Sequence, residues 1–182
     1  FYCMTVHLNY IEPPRTALEA FELMPEGTLC QIIDNKFIMS PAPEYHHQSI
    51  SSSIEMALAI FIIKNKLGEI LHAPLDVYFD NENVFQPDIL FISNENSSII
   101  KDGKIKGAPD LIIEILSPAT QKNDLGKKKD IYEKFGVKEY WTVQPKDKST
   151  KVFILNKENK YIEFFSGTKK AKSKLFKKTF NF

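Results

Sequence analysis

Residues 111–116, Leu-Ile-Ile-Glu-Ile-Leu, constrain this chain more than any other stretch. Gly107-Ala-Pro leads in and Ser117-Pro118 stops the run, so it has the length of a strand. Its apolar residues do not alternate with polar ones, which predicts a strand covered on both faces, at the centre of a sheet. Glu114 lies in the middle of it. An ionised carboxylate between two covered faces is costly unless something compensates. A bound cation is one compensation. A buried Lys or Arg partner, as a structural ion pair, is another.

The flanking pattern sets the fold class. A short helix is predicted over 16–24 with Thr16 as its cap, then a hairpin over 29–40 turning at Asp34-Asn35. The longest helix follows over 46–66, with Ile50, Ile54, Ala57, Leu58 and Phe61 at helical spacing. Three short strands come next, over 69–73, 76–79 and 88–93, with a turn at 81–83. After the central strand, Asp124 is expected to cap a helix that runs to Phe135 and ends at Gly136. A strand over 139–143 and a hairpin of 152–155 with 161–165 complete the order. Strands interleaved with helices predict a mixed sheet with helices packed on it, α/β or α+β, rather than a bundle or a sandwich. At 182 residues and 43% hydrophobic, the chain suits one compact domain.

Several function classes fall away. The longest apolar run, Met56 to Ile63, is far short of the ~20 residues of a membrane span, and no secretory signal is visible. Cys3 and Cys30 lack metal or redox spacing, and the four His residues form no zinc pattern. A reduced, cytoplasmic chain without membrane partners is the expectation.

Two further residues join Glu114. Asp88 opens the strand Asp-Ile-Leu-Phe-Ile. Lys128 falls on the apolar stripe of the following helix (Leu125, Ile131, Tyr132, Phe135), three residues before Ile131 and four before Tyr132. Lys127 and Lys129 point sideways. Lys128 is therefore the lysine aimed at the sheet, unless it snorkels past the stripe to water. Two carboxylates and a lysine converging on one sheet suit metal-dependent phosphodiester hydrolysis. Oxygen ligands favour Mg2+ or Mn2+ over zinc. The metal would polarise the phosphate and acidify a water, and the lysine would position that water or stabilise phosphoryl charge.

A longer pattern carries a family resemblance. Gln86-Pro-Asp88, Gly107-Ala-Pro-Asp110 with Glu114 and Ser117-Pro118, Asp124-Leu-Gly-Lys-Lys128, Tyr132 and Gly136-Val-Lys-Glu-Tyr140-Trp141 together resemble the Uma-two family. Upstream, Met39-Ser-Pro-Ala-Pro43 and His47-Gln48 fit as well. This is an endonuclease family of the PD-(D/E)xK restriction-endonuclease-like superfamily. The resemblance implies a restriction-endonuclease-like mixed β-sheet core flanked by helices, with added N- and C-terminal β-hairpins. It covers nearly the whole chain from about residue 16, and a single domain is expected over 1–182, with an N-terminal extension at 1–15 and a Lys-rich segment at 167–182. It implies that Asp88 and Glu114 are metal ligands and catalytic, with Lys128 the catalytic lysine. The position two after Glu114 is Leu116, so the lysine of the usual strand signature is missing and the family's helix lysine maps to Lys128. The acids that flank the family's hairpin turn are Gln31 and Lys36 here, and its Gly is Asn35. His47 and Asp76 are candidates for supporting roles. His46 reads as structural, Asp110 as serving its turn, and Tyr132 and Trp141 as core aromatics.

Net charge is +1, which alone speaks against a basic nucleic-acid binder, but it is unevenly spread. Residues 151–182 hold nine Lys against Glu158 and Glu163, while residues 1–150 hold 15 basic and 21 acidic residues. Arg15 is the one arginine, so bidentate phosphate forks are nearly absent. The leading expectation is a Mg2+- or Mn2+-dependent DNA endonuclease that forms a homodimer. The alternative is a catalytically inactive nuclease fold that binds nucleic acid or protein. Leu175, Phe176, Phe180 and Phe182 are expected to pack part of the Lys-rich end down. No particular residue is singled out for contact with nucleic acid.

Overall fold

In the computed structural model, residues 13–182 are described. Residues 1–12 of the expected extension, with Cys3 and His7, lie outside the described residues.

Local chemistry starts the elements where the sequence signals them. Thr16, extended at φ −125°, accepts the Glu19 N–H on its hydroxyl and opens α1 (Ala17–Glu22). Strands β1 (Cys30–Ile33) and β2 (Lys36–Met39) pair through Asp34 and Asn35, both left-handed at φ 50° and 57°. A two-residue hairpin of the favoured twist needs two such residues, and Asp and Asn tolerate that region. Helix α2 (Tyr45–Asn65) is followed by β3 (Gly68–His72), β4 (Val77–Asp80), β5 (Asn83–Phe85) and β6 (Ile89–Ser93). A 3-10 turn at Asn94–Ile99 leads to β7 (Ile100–Lys101) and β8 (Lys104–Lys106). Then come β9 (Leu111–Ile115), α3 (Gln121–Asp124), α4 (Lys127–Phe135) and β10 (Glu139–Val143). The chain closes with β11 (Ser149–Leu155), β12 (Tyr161–Thr168), β13 (Lys170–Ser173) and β14 (Lys178–Asn181). Among the described residues no helix is long and apolar enough to cross a membrane.

The result is the mixed α+β architecture expected. One six-stranded sheet runs β12-β11-β10-β9-β6-β3, another runs β2-β1-β5-β4-β8-β7, and β13-β14 is a separate hairpin. The 111–116 run is interior: β9 lies parallel to β10 and antiparallel to β6. Both its faces are covered. Leu111, Ile113 and Ile115 meet Ile50, Ile54, Leu58 and Ile62 of α2, with Trp141 and Phe180 in the same layer. Ile112 and Tyr140 on the opposite face meet Val77, Phe79 and Phe85 of the other sheet and Tyr132 of α4. Each of the four α2 aliphatics is at most 2% exposed, and burying each contributes roughly 1.5–3 kcal/mol.

One expectation needs correction, and one element adds to what was expected. The helix expected over 124–135 is broken at Leu125-Gly126, so Asp124 ends α3 instead of capping α4. Gly126 sits where a Cβ would come within 2.8 Å of the Lys122 carbonyl, which is why the backbone can turn there. Leu125 therefore leaves the stripe and is 47% exposed. Secondly, the Lys-rich segment carries a hairpin of its own, β13–β14, seated by Ala171 and Phe180 in the α2 layer, with Leu175, Phe176 and Phe182 packed against it.

Candidate active site

The site forms where β6 and β9 stop pairing. Their register runs from Phe91↔Leu111 to Ile89↔Ile113, and one step beyond it Asp88 turns its side chain to the β9 backbone. Oδ2 of Asp88 accepts the Ile115 N–H at 2.7 Å. The strand thus fixes the carboxylate beside Glu114. His47, in the first turns of α2, places Nε2 3.3 Å from the same Oδ2.

Glu114 points to the α4 side of the sheet and is 3% exposed. Its Oε1 accepts from Lys128 Nζ at 2.5 Å and from the Tyr132 hydroxyl at 2.6 Å. Lys128 is 2% exposed, so it does not snorkel to water, and it also pairs with Asp124 Oδ1 at 3.1 Å. The break at Gly126 brings Asp124 under Lys128, one helical turn away. Tyr140 assists by donating its hydroxyl to the Asp124 carbonyl at 2.9 Å.

These groups line one cavity of about 530 Å³, floored by Asp88, Glu114, Asp124, Lys128 and His47. Glu44 and Glu55 also line it, so five carboxylates face a single lysine. Burial pushes the Glu114 carboxyl up to about 8; Lys128 pulls against this, and the charges of Asp124 and Asp88 add to it. Burial alone would lower the Lys128 ammonium, but Glu114 and Asp124 outweigh it and hold the group charged. For His47 burial lowers the imidazole, and Asp88 reverses this to a net rise.

The donor set suits a hard divalent cation. All three floor acids offer oxygen, and among the described residues no protein donor reaches Oδ1 of Asp88 or Oε2 of Glu114. Mg2+ is commonly held by one or two carboxylates, with waters and substrate phosphates filling its shell. Asp88 and Glu114 could supply that share; among the described residues no group of three His, Cys, Asp or Glu side chains is placed to hold a metal ion.

Other candidates lie elsewhere. Asp76 accepts from the Gln86 amide at 2.9 Å and does not line the cavity, although Gln86 does. Asp110, 1% exposed, pairs with Lys138 at 2.5 Å and accepts the Ser93 N–H at 2.7 Å, away from the cavity. Trp141 is a core aromatic whose indole donates to Glu139. Gln31 lines the cavity and holds the Gln86 backbone N–H on its Oε1, so an acid at this position would have added another carboxylate. Sequence reasoning missed Asp124 as a site group and the Tyr132 hydroxyl as a donor. The Asp124–Lys128 spacing of four, at which helical side chains meet, was the available signal for the first.

A family model named Uma2 and described as "Putative restriction endonuclease" matches residues 18–177. Among solved structures, the crystal structure of "a putative nuclease belonging to DUF820" from Anabaena variabilis superposes with a TM-score of 0.68. It is 22% identical and the match covers 83% of this chain and 84% of that one, which is a likeness of fold. No curated protein matches the chain.

Proposed function

The chain belongs to the Uma2 family, and from that premise we propose that it is a divalent-metal-dependent endonuclease acting on DNA. The observation that carries this reading is the buried Glu114–Lys128 pair at 2.5 Å, inside a cavity that Asp88 also lines. Asp88 and Glu114 would hold the cation, Mg2+ or Mn2+. When bound, it supplies Lewis acidity and an acidified water for attack on phosphorus.

The chain's own residues do the rest. Lys128 keeps its charge in the buried site and faces the phosphoryl oxygens as negative charge grows there. Tyr132 and Lys128 together fix the rotamer of Glu114. His47 and the Ile115 N–H fix Asp88. Charge also supports the reading. Three floor carboxylates against one lysine would repel a phosphodiester, and a bound cation reverses the local sign. A second reading has one observation in its favour: Lys128 already neutralises Glu114 and Asp124 in part, as a purely structural ion pair would in an inactive fold.

Supercoiled plasmid and single-stranded circular DNA, each with Mn2+ or with EDTA, separate the two. The endonuclease reading expects cleavage with Mn2+, none with EDTA, and a loss of at least about 100-fold in Glu114→Ala, the scale of one removed electrostatic group. Absence of metal-dependent cleavage, or equal cleavage by the variant, overturns it in favour of the inactive fold.

A further inference from the structure

The β13–β14 hairpin carries a concentration of charge that no carboxylate among the described residues offsets, although Lys172 lies over the Phe164 ring and Lys178 over the Phe61 ring. Lys169, Lys170, Lys172, Lys174, Lys177 and Lys178 are all exposed. No Asp or Glu follows Glu163 in the sequence. Among the described residues none of the six has a carboxylate in ion-pair distance, whereas Lys104, Lys127, Lys128, Lys138, Lys151 and Lys160 all do. Mutual repulsion makes such a cluster unfavourable for the free chain.

The hairpin is also firmly seated. Buried Glu139 accepts the Lys174 and Leu175 N–H groups at 2.9 and 2.8 Å and the Trp141 indole at 2.6 Å. Ala171 and Ser173 face inward on β13, so Lys170 and Lys172 share its outer face. Lys169 and Lys177 hold left-handed turn positions at φ 57° and 50°, where Gly or Asn would be less strained. Turn chemistry therefore does not account for the lysines there.

Its position relates it to the cavity. Lys169 donates its N–H to the Lys148 carbonyl, and Lys148 donates to Gln144, beside the cavity-lining Pro145. Asn181, the partner of Lys170, borders a cleft with Ser52, which also lines the cavity. The Lys169–Lys170 end of this basic face thus lies toward the acidic cavity, while its Lys174–Lys178 turn lies at the far end of β10, beside Glu139 and Phe61.

We propose that the β13–β14 hairpin is a binding surface for the phosphate backbone of nucleic acid, which holds the strand beside the cavity. An anionic membrane is the weaker match, because the exposed large hydrophobic residues include none after Phe164 to enter a bilayer. The proposal deepens the nuclease reading and rests on it for its biological sense. Binding can nevertheless be measured without cleavage.

The test is affinity of the full chain for labelled 30-nucleotide single-stranded and duplex DNA, in EDTA, across a salt series. One variant combines Lys170→Gln, Lys172→Gln and Lys174→Gln. A control combines Lys101→Gln, Lys104→Gln and Lys106→Gln on the other sheet, with the same change in formal charge. Each lost phosphate contact lowers the log–log salt slope by about 0.7 for single strands and about 0.9 for duplex. The hairpin variant is expected to lose about 2–3 in slope while the control stays near wild type. Equal slopes in variant and wild type, equal losses in variant and control, or tighter binding to anionic lipid vesicles than to DNA would overturn the proposal. Since no metal is present, a failed cleavage assay would sink the nuclease reading and leave this result standing, and the converse also holds.

Discussion

Glu114 could be read as anomalous from its neighbours alone, because a carboxylate within Leu-Ile-Ile-x-Ile-Leu has no comfortable place in a covered strand. The choice between a cation and a lysine as compensation could not be made from the strand. In the structure Lys128 is present at 2.5 Å, yet Asp88 and Asp124 leave the floor with surplus negative charge. Replacing Lys128 by Met should expose how much the pair contributes. Removing one partner of a buried pair costs about 3–5 kcal/mol when the other stays charged. Glu114, however, can shed its charge by taking a proton. A carboxyl whose folded value lies above its unfolded one loses stability as pH rises past the unfolded value and up to the folded one. Urea unfolding of Lys128→Met should therefore show a larger loss at pH 9 than at pH 6. An equal loss at both would mean that Glu114 is not the group left unpaired. Asp124 shows the limit of residue-level reading. Its place at the start of the helical pattern that runs to Phe135 made it read as a helix cap, whereas in the structure it ends α3 and pairs with Lys128.

At the scale of elements, the strongest patterns were legible. The Thr16 cap, the Asp34-Asn35 hairpin, the long helix and the strands over 111–116 and 139–143 all carry their own local signals. Strands β5, β7 and β8 did not. Each has only two or three residues, and its existence depends on partners distant in sequence, such as Ile32 opposite Val84. The β13–β14 hairpin was hidden for another reason: lysines fill its outward positions and its inward residues, Ala171 and Ser173, are small. The α3–α4 junction is the element that most directly shapes the site. Gly126→Ala would drive a Cβ to 2.8 Å from the Lys122 carbonyl, so the junction must open. The expected cost is about 1–3 kcal/mol, with a fall in any metal-dependent activity larger than that in a surface variant such as Lys101→Ala. Thermal unfolding with activity measured on the same samples checks this. An Ala variant as stable and as active as wild type would show that the junction has other ways to close.

At the scale of the whole molecule, the near-neutral total of +1 conceals an acidic cavity and a basic hairpin beside it. The split was visible in the sequence as an excess of Lys after residue 151. What it could not show was that the segment folds back against α2, with Phe176 and Phe180 on Phe61 and Asn181 in a cleft with the cavity-lining Ser52. On the proposed reading, the chain attracts a phosphate backbone with the hairpin and presents it with a site that repels phosphate until a cation is bound. The account's central claim is that Asp88 and Glu114 hold that cation. The most direct measurement is Mn2+ binding to the full chain by electron paramagnetic resonance, with wild type beside Asp88→Asn and Glu114→Gln. With the Glu114 carboxyl near 8, a proton competes with the metal below that pH, so affinity should fall by up to about 50-fold from pH 8 to pH 6. At pH 8 one Mn2+ site is expected in wild type, weakened at least about tenfold in either variant. Binding of equal strength in all three proteins, or binding that does not change with pH, would contradict the claim.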